Sequence, residues 1–353
     1  MSIVSIKFQY QELTENDIVE EHFEIIESVS SGNELRYGGC ESTCVKFTAI
    51  YSDELKKAKG KSFGLTYYDK FYGAFKINSV KVSDNRATIE VIAYDYLYEM
   101  MNTDISSWFN EKLTGTTGYS FGQVWRELFD DVLGYNYENI TLRNDSVRFP
   151  EPDTANEKIT AGQFMKIICE LNGVFGCIDS HNKFVFKKYE SSFDNNIYPS
   201  LYLYPGAATY PTNYHSEKAV STIDTGMYYD LKHEDFEVKQ INRYVIELPK
   251  AEAGYGTGNN KYIVKSNQIT KYLGYVDAVN IAANAMITIS PSFYMPIEKA
   301  TVIYMNEIEP LKNIQFVSIF DEFVPTIILS VTHTGIYAPK SIIVSKGVEY
   351  YSN

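Results

Sequence analysis

Few groups in this chain are placed to do chemistry, and their spacing argues against each use in turn. The five histidines, His22, His181, His215, His233 and His333, are scattered, and none is spaced with another His, a Cys or a carboxylate as a metal-binding helix requires. His181 falls in a predicted turn and reads as a surface residue. Cys40-Glu41-Ser42-Thr43-Cys44 is a single C-x3-C pair; a zinc knuckle needs a second pair, and Cys169 and Cys177 lie far along the chain on a predicted helix and a predicted strand. Gly254-Tyr255-Gly256-Thr257-Gly258-Asn259-Asn260 is the best candidate for a phosphate cradle. No Lys-Ser/Thr closes it, and it leads into a strand where a phosphate site needs a helix N-terminus, so it reads as a flexible hairpin tip. Glycoside hydrolysis would take two carboxylates at a set separation. With 45 Asp plus Glu the sequence offers many and selects none. No catalytic, cofactor-binding or metal-ligating residue is expected, no cofactor is implied, and the chain is not expected to be an enzyme.

The elements that carry these residues can be read from apolar spacing. Residues 3–8 alternate Val4, Ile6 and Phe8 against Ser5 and Lys7, as an opening strand does. Residues 12–27 hold Glu12, Glu15, Asp17, Glu20, Glu21, Glu24 and Glu27 with no Lys or Arg, and the interleaved Ile18, Val19, Phe23, Ile25 and Ile26 make this a folded segment with one charged face. Alternation leaves open whether that face meets bulk water or a channel. Residues 36–101 form one compact antiparallel unit: a strand at 44–50, a turn at Lys59-Gly60-Lys61, a strand at 62–68, and a hairpin of 72–82 with 87–94 through Ser83-Asp84-Asn85-Arg86. Composition shifts at 102–118, which is rich in Thr, Ser and Gly, and a domain boundary is placed there.

Two helices with matching punctuation come next. Ser120-Phe121-Gly122-Gln123 is a capping-box pattern that opens a stripe of Phe121, Val124, Trp125, Leu128, Phe129 and Val132 stopped by Gly134; Trp125 lies inside the stripe and reads as core. Thr160-Ala161-Gly162-Gln163 repeats the device before Phe164, Ile167, Ile168 and Leu171, with Gly173 as the stop. A hairpin of 174–178 and 183–189 closes the module, and 191–222 reads as a long irregular connector. Strands are then predicted at 242–248, 261–265, 299–305, 314–320, 326–332 and 340–345, with an Ala-rich buried helix at 277–289. The fold class is α+β, mostly β: a first small β-barrel or sandwich, a mixed helix-plus-hairpin insert, and a second small β-barrel. Boundaries are expected at 1–102 for the first barrel, 103–190 for the insert, 191–222 for the connector and 223–353 for the second barrel with its packed helix.

Composition narrows the function. At 353 residues the chain can bury more than one core, and four cysteines are too sparse for a disulfide scaffold. No charged-then-apolar leader and no apolar run of about 20 residues is present, so reduced thiols, synthesis in the cytosol and no membrane span are expected. A formal net charge of −13 argues against a chain whose main business is gripping nucleic acid, because neutralising phosphate takes a basic surface. The 30 Tyr and 20 Phe exceed what an ordinary core requires and suit strands and large, partly wet subunit contacts.

The order of these pieces resembles the baseplate or tail-tip hub proteins of tailed phages and phage-like particles, a family that includes the N-terminal structural region of tail-associated lysins. The resemblance is carried by Asp17-Ile18-Val19 leading into Leu35-Arg36-Tyr37-Gly38-Gly39-Cys40-Glu41-Ser42; by Gly73-Ala74-Phe75-Lys76-Ile77 ending in Ala93-Tyr94-Asp95; by the helix-hairpin unit at 159–187; and by Glu309-Pro310-Leu311 with the strands after it. It implies a homotrimer in which each subunit supplies two tail-tube-like β-barrels, giving a pseudo-sixfold ring between a hexameric tail tube and a threefold tip. DNA and the tape-measure protein would pass through the centre. Implied partners are further copies of the chain, a tail tube or distal tail protein, the tape-measure protein, and a spike, lysin or fibre docked below. The place of action would be a virion tail or tail-like particle, made in the bacterial host cytoplasm. The chain departs from longer members by stopping at Ser352-Asn353, which puts wall-degrading activity in doubt. The alternatives are a carbohydrate- or receptor-binding module of a tail tip, motivated by the tyrosines, and a peptidoglycan hydrolase.

Overall fold

The computed structural model describes residues 3–9, 11–30, 36–115, 118–189, 221–234, 236–289, 294–317 and 323–345. The connector expected at 191–222 lies outside them except for its last two residues, and so does His215. The chain opens with strands β1 (Val4–Lys7), β2 (Glu12–Thr14), β3 (Ile18–Ser28) and β4 (Cys44–Ile50). A short helix α1 (Asp53–Lys56), capped by the Ser52 hydroxyl accepting from Leu55 N at 3.1 Å, leads into β5 (Ser62–Tyr67), β6 (Lys70–Val82) and β7 (Thr88–Tyr94).

Helices α2 (Leu97–Asn102), α3 (Ser106–Thr114), α4 (Phe121–Glu127) and α5 (Ala161–Asn172) come after the strands, α4 running on as a π-helical turn over Leu128–Leu133. Both predicted capping boxes are formed. Ser120 Oγ accepts from Gln123 N at 3.3 Å while Gln123 Oε1 accepts from Ser120 N at 2.9 Å; the Thr160–Gln163 pair does the same at 3.2 and 3.0 Å. The helical run from Phe121 and α5 end on Gly134 and Gly173, whose φ of 60° and 66° is the left-handed conformation that glycine adopts at no steric cost. The 102–118 stretch, rich in Thr, Ser and Gly, holds α3. Its Ile105, Phe109 and Leu113 recur at helical spacing and are buried, a periodicity hidden beneath the polar composition.

The second half adds the hairpin β8 (Phe175–Ile178) and β9 (Phe184–Lys187), then β10 (Ser221–Ile223), β11 (Tyr228–His233), β12 (Arg243–Leu248), β13 (Ala251–Gly256), β14 (Lys261–Val264), helix α6 (Tyr275–Thr288), β15 (Ile297–Ile303), β16 (Asn313–Val317), β17 (Phe323–Ile327), β18 (Ser330–Thr334) and β19 (Lys340–Ser345). The fold is α+β and mostly β. The single strand predicted at 326–332 is two, because the chain crosses between sheets at Ile328 and Leu329: Ile328 N donates to Lys312 O at 3.0 Å and Leu329 N to Val344 O at 3.1 Å. The glycine-rich 254–260 is not a hairpin tip. β13 runs antiparallel to one side of β12 and β14 parallel to the other, so 257–260 cross over the start of β12.

Among the described residues, eleven strands form one antiparallel sheet in the order β11-β15-β19-β18-β3-β4-β7-β6-β5-β1-β2. The two strand-rich lobes are thus one sheet, joined where β18 pairs with β3. The first lobe packs Phe23, Phe47, Phe63, Leu65, Phe75 and Val91 on its inward face, and the second packs Ile297, Val302, Phe316, Val331 and Ile343. The largest core gathers the helices, with Trp125, Phe164, Ile168 and Phe175, and takes in Tyr244, Tyr262, Ile281 and Ala285 from β12, β14 and α6. Helix α6 therefore lies between the β13-β12-β14 sheet and α5, which its alanines on several faces allow.

The turn into β4 is the tightest backbone approach. A Cβ at Gly39 would run into the Val29 carbonyl, whereas one at Gly226 meets nothing within 4 Å. Gly39→Ala is expected to lower unfolding free energy by about 2 kcal/mol or more, and Gly226→Ala to change it by under about 0.5 kcal/mol, measured by urea denaturation. Equal midpoints for the two variants would contradict this packing.

Candidate functional site

The seam between the lobes is built by alternation. Along β3, Phe23, Ile25 and Glu27 share the inward face, so the last of the acidic run points inward while Glu21 stays exposed. Opposite them on β18, Val331 and His333 point the same way, Glu27 pairing with Val331 and Ile25 with His333. His333 is fully buried. Its Nδ1 and the Ser341 hydroxyl are 2.8 Å apart, and its Nε2 stands 3.4 Å from Glu27 Oε2. Tyr304 and Tyr72 present their rings edge-on to the imidazole at centroid distances of 5.0 and 6.0 Å.

Hydroxyls then tie loops across the seam. Tyr67 donates to Gly335 O at 2.6 Å and Tyr68 to Ile336 O at 2.7 Å, while Tyr304 donates within its own turn to Asn306 Oδ1 at 2.6 Å. Burial pushes the Tyr67 and Tyr72 hydroxyls well above the usual phenol range and that of Tyr304 up to about 12, so all three stay protonated donors. Lys70 Nζ lies 2.6 Å from Glu309 Oε1. Burial alone would raise that carboxyl; the hydrogen bond and charge of Lys70 outweigh it and hold the group below its ordinary value. This cluster locks one lobe to the other. It offers no activated nucleophile.

A second junction fastens the helical module. The arm of residues 36–40 lies against α5 and β8: Gly38 N donates to Val174 O and Gly176 N to Gly39 O, both at 3.0 Å. Beside it is a cleft of about 300 Å³ lined by Arg36, Glu41, Gln163, Lys166, Glu170 and Lys265. Glu170 is buried, its Oε1 accepting from the Tyr262 hydroxyl at 2.7 Å and its backbone carbonyl from the Tyr244 hydroxyl at 2.6 Å. Burial raises its carboxyl to about 7 against the pull of Tyr262 and Arg36. Asp95, at the end of β7, is raised by burial to about 7 in the same way, although Thr43 N and Leu97 N donate to its two oxygens at 2.8 and 3.0 Å. A carboxyl with a pKa near 7 is a candidate acid or base. These two line different clefts; Asp95 has both oxygens, and Glu170 one, engaged by groups that fasten one segment to another.

The residues singled out by sequence do not converge. His22, His181 and His233 are exposed on separate elements. Among the described residues no group of three or more His, Cys, Asp or Glu is arranged to hold a metal ion. No described helix is long and apolar enough to cross a membrane. Trp125 is core as expected, with its Nε1 donating to Asp145 Oδ1 at 2.8 Å. What sequence reasoning missed is Asp95, Glu170, the inward turn of His333, and the meeting of Cys40 with Cys169 at 3.7 Å. The strand alternation around Ile25 and Val331 carried the signal for His333; the others depend on long-range packing.

No protein-family model matches the chain, and no curated protein matches it in sequence. Solved structures do share its architecture over nearly the whole length. A 43 kDa tail protein of prophage MuSo2 from Shewanella oneidensis aligns with 96% of this chain and 97% of its own, at 10% identity and a TM-score of 0.58. A tail protein from Neisseria meningitidis MC58 aligns with 97% of this chain and 95% of its own, at 9% identity and a TM-score of 0.55. The chain has the fold of these two tail proteins.

Two carboxyls raised toward 7 give a signed pH dependence. A carboxyl whose folded pKa exceeds its unfolded value stabilises fully below the unfolded pKa, and that stability is lost as pH rises through the folded value. Glu170→Gln removes one such group, so the fall in unfolding free energy between about pH 5 and pH 8 should be shallower than in the parent by about 2 kcal/mol, read from urea titrations at each pH. Parallel curves for the two proteins would mean that Glu170 titrates as an ordinary exposed carboxyl.

Proposed function

We propose that this chain is a structural hub subunit of a phage tail or tail-like particle, three copies closing into a ring around an axial passage. The observation that carries the reading is the eleven-stranded sheet running through both lobes, with β11 at one end and β2 at the other among the described residues. An unpaired strand edge is a template for another chain. A contact in which one edge meets the other edge of the next copy is heterologous, and such contacts repeat into a closed ring when the rotation fits. The shared fold with two tail proteins supports the tail setting.

On this reading residues 1–102 supply the first tube-like lobe and 223–353 the second with its packed helix, 103–190 being the insert and 191–222 the connector, with the two lobes sharing one sheet. Three copies place six lobes around the axis, matching a hexameric tube or distal tail protein on one side and a threefold spike, lysin or fibre on the other. The passage serves DNA and the tape-measure protein, and a net charge of −13 keeps phosphate from sticking to its wall. The protein acts as a scaffold and not as an enzyme, in a virion tail or tail-like particle, after synthesis in the host cytoplasm. The tyrosines favour this role over a glycan groove: Tyr37, Tyr67, Tyr244, Tyr262 and Tyr294 are buried in the junctions.

Sedimentation of the purified chain at rising concentration is expected to reach three times its 40.3 kDa mass. Tyr229, 65% exposed on the edge strand β11, is a position where lysine would block pairing, so Tyr229→Lys should shift the equilibrium toward monomer, beyond the small loss of stability from its lost contact with Lys340. A strict monomer at all concentrations in the parent protein would overturn the reading.

A further inference from the structure

Two buried cysteines separated by 129 positions meet where the 36–40 arm lies on α5. Cys40 ends the arm of residues 36–40, and Cys169 lies on α5; both side chains are fully buried, and their Sγ atoms are 3.7 Å apart. Backbone contacts hold the arm in place. Cys40 bridges to Gly176, and Gly38 sits so close to α5 that a Cβ there would lie 2.5 Å from the Lys166 carbonyl oxygen. Gly176 also leaves room for the sulfur, since a Cβ at that position would be 2.7 Å from Cys40 Sγ. Each sulfur is therefore presented to the other by fixed backbone.

We propose that Cys40 and Cys169 form an oxidisable pair that closes into a disulfide, fastening the 36–40 arm covalently to α5. The oxidant is a low-molecular-weight disulfide. One protein thiolate attacks it and expels one oxidant thiol; the second protein thiolate then displaces the other half, so two protein thiols and one oxidant disulfide become one protein disulfide and two oxidant thiols. Closure brings the sulfurs from 3.7 Å to about 2.05 Å by side-chain rotation. Both thiols are buried, so the oxidant reaches them only when the 36–40 arm opens from α5, and burial also pushes the Cys169 thiol well above its ordinary value; both make the reaction slow. A bridge across so long a loop constrains the unfolded chain strongly, so the closed form should be the more heat-resistant one. Of the remaining cysteines, Cys177 on β8 is the competitor, and burial pushes its thiol up to about 12.

The test is a disulfide map of the full chain. Folded protein is incubated with oxidised glutathione, alkylated under denaturing conditions, digested and analysed by mass spectrometry. The expected result is a peptide joining Cys40 to Cys169, two alkylatable thiols remaining out of four, and a thermal midpoint that rises and returns on reduction. Cys44→Ser/Cys177→Ser, which keeps only the pair, should give the same linkage. Four alkylatable thiols after treatment, a Cys40–Cys177 link, or glutathione left on Cys40 would each overturn the proposal.

Discussion

Everything in this molecule depends on a ladder of five residue pairs. Ser28, Glu27, Ile26, Ile25 and Glu24 of β3 face Ser330 to Thr334 of β18, and through them two lobes become one sheet. The register is fixed by what a slip would do. Moving β3 by one position would turn Phe23 and Ile25 to the outer face and leave the first core without them. It would also carry Glu27 away from His333. Burying an imidazole costs free energy unless its nitrogens are met. Ser341 meets one nitrogen of His333, while Glu27 Oε2 stands 3.4 Å from the other without a hydrogen bond, so the register rests on the apolar residues that a slip would turn outward.

The helical module is held to that sheet by shape more than by charge. Gly38 and Gly39 let the 36–40 arm lie directly on α5 and β8, and Tyr37 fills the space above it, edge-on to Tyr189 and Tyr262. Inside the module, Asp145 gathers Trp125 Nε1, Arg126 Nη2 and Leu142 N at 2.8, 2.7 and 3.0 Å, and the Arg126 guanidinium lies 4.4 Å from the Trp125 ring centroid. A carboxylate so fully engaged can remain buried.

Local physics made much of this legible. The capping boxes at Ser120 and Thr160, the glycine stops and the β6–β7 hairpin are set by neighbours in sequence, and all are present. Composition misled at α3, where Thr and Ser masked Ile105, Phe109 and Leu113, and at 254–260, where glycines suggested a tip and serve a crossover around Asn242. The clefts were not legible. Asp95 owes its raised pKa to burial beneath other segments, Glu170 likewise, and Cys40 meets Cys169 only because α5 folds back over the arm. Contacts between positions so far apart leave no period in the sequence.

Inward faces and junctions take up many aromatic side chains of the described residues, Trp125, Tyr67, Tyr244 and Tyr294 among them. The sheet ends at β11 and β2 are where the next copy would attach. Electron cryomicroscopy of the purified chain tests this most directly. The expected map is a threefold ring in which β11 of one copy lies against β2 of the next; a ring that leaves both edges in solvent, or a particle that never exceeds one chain, would contradict it.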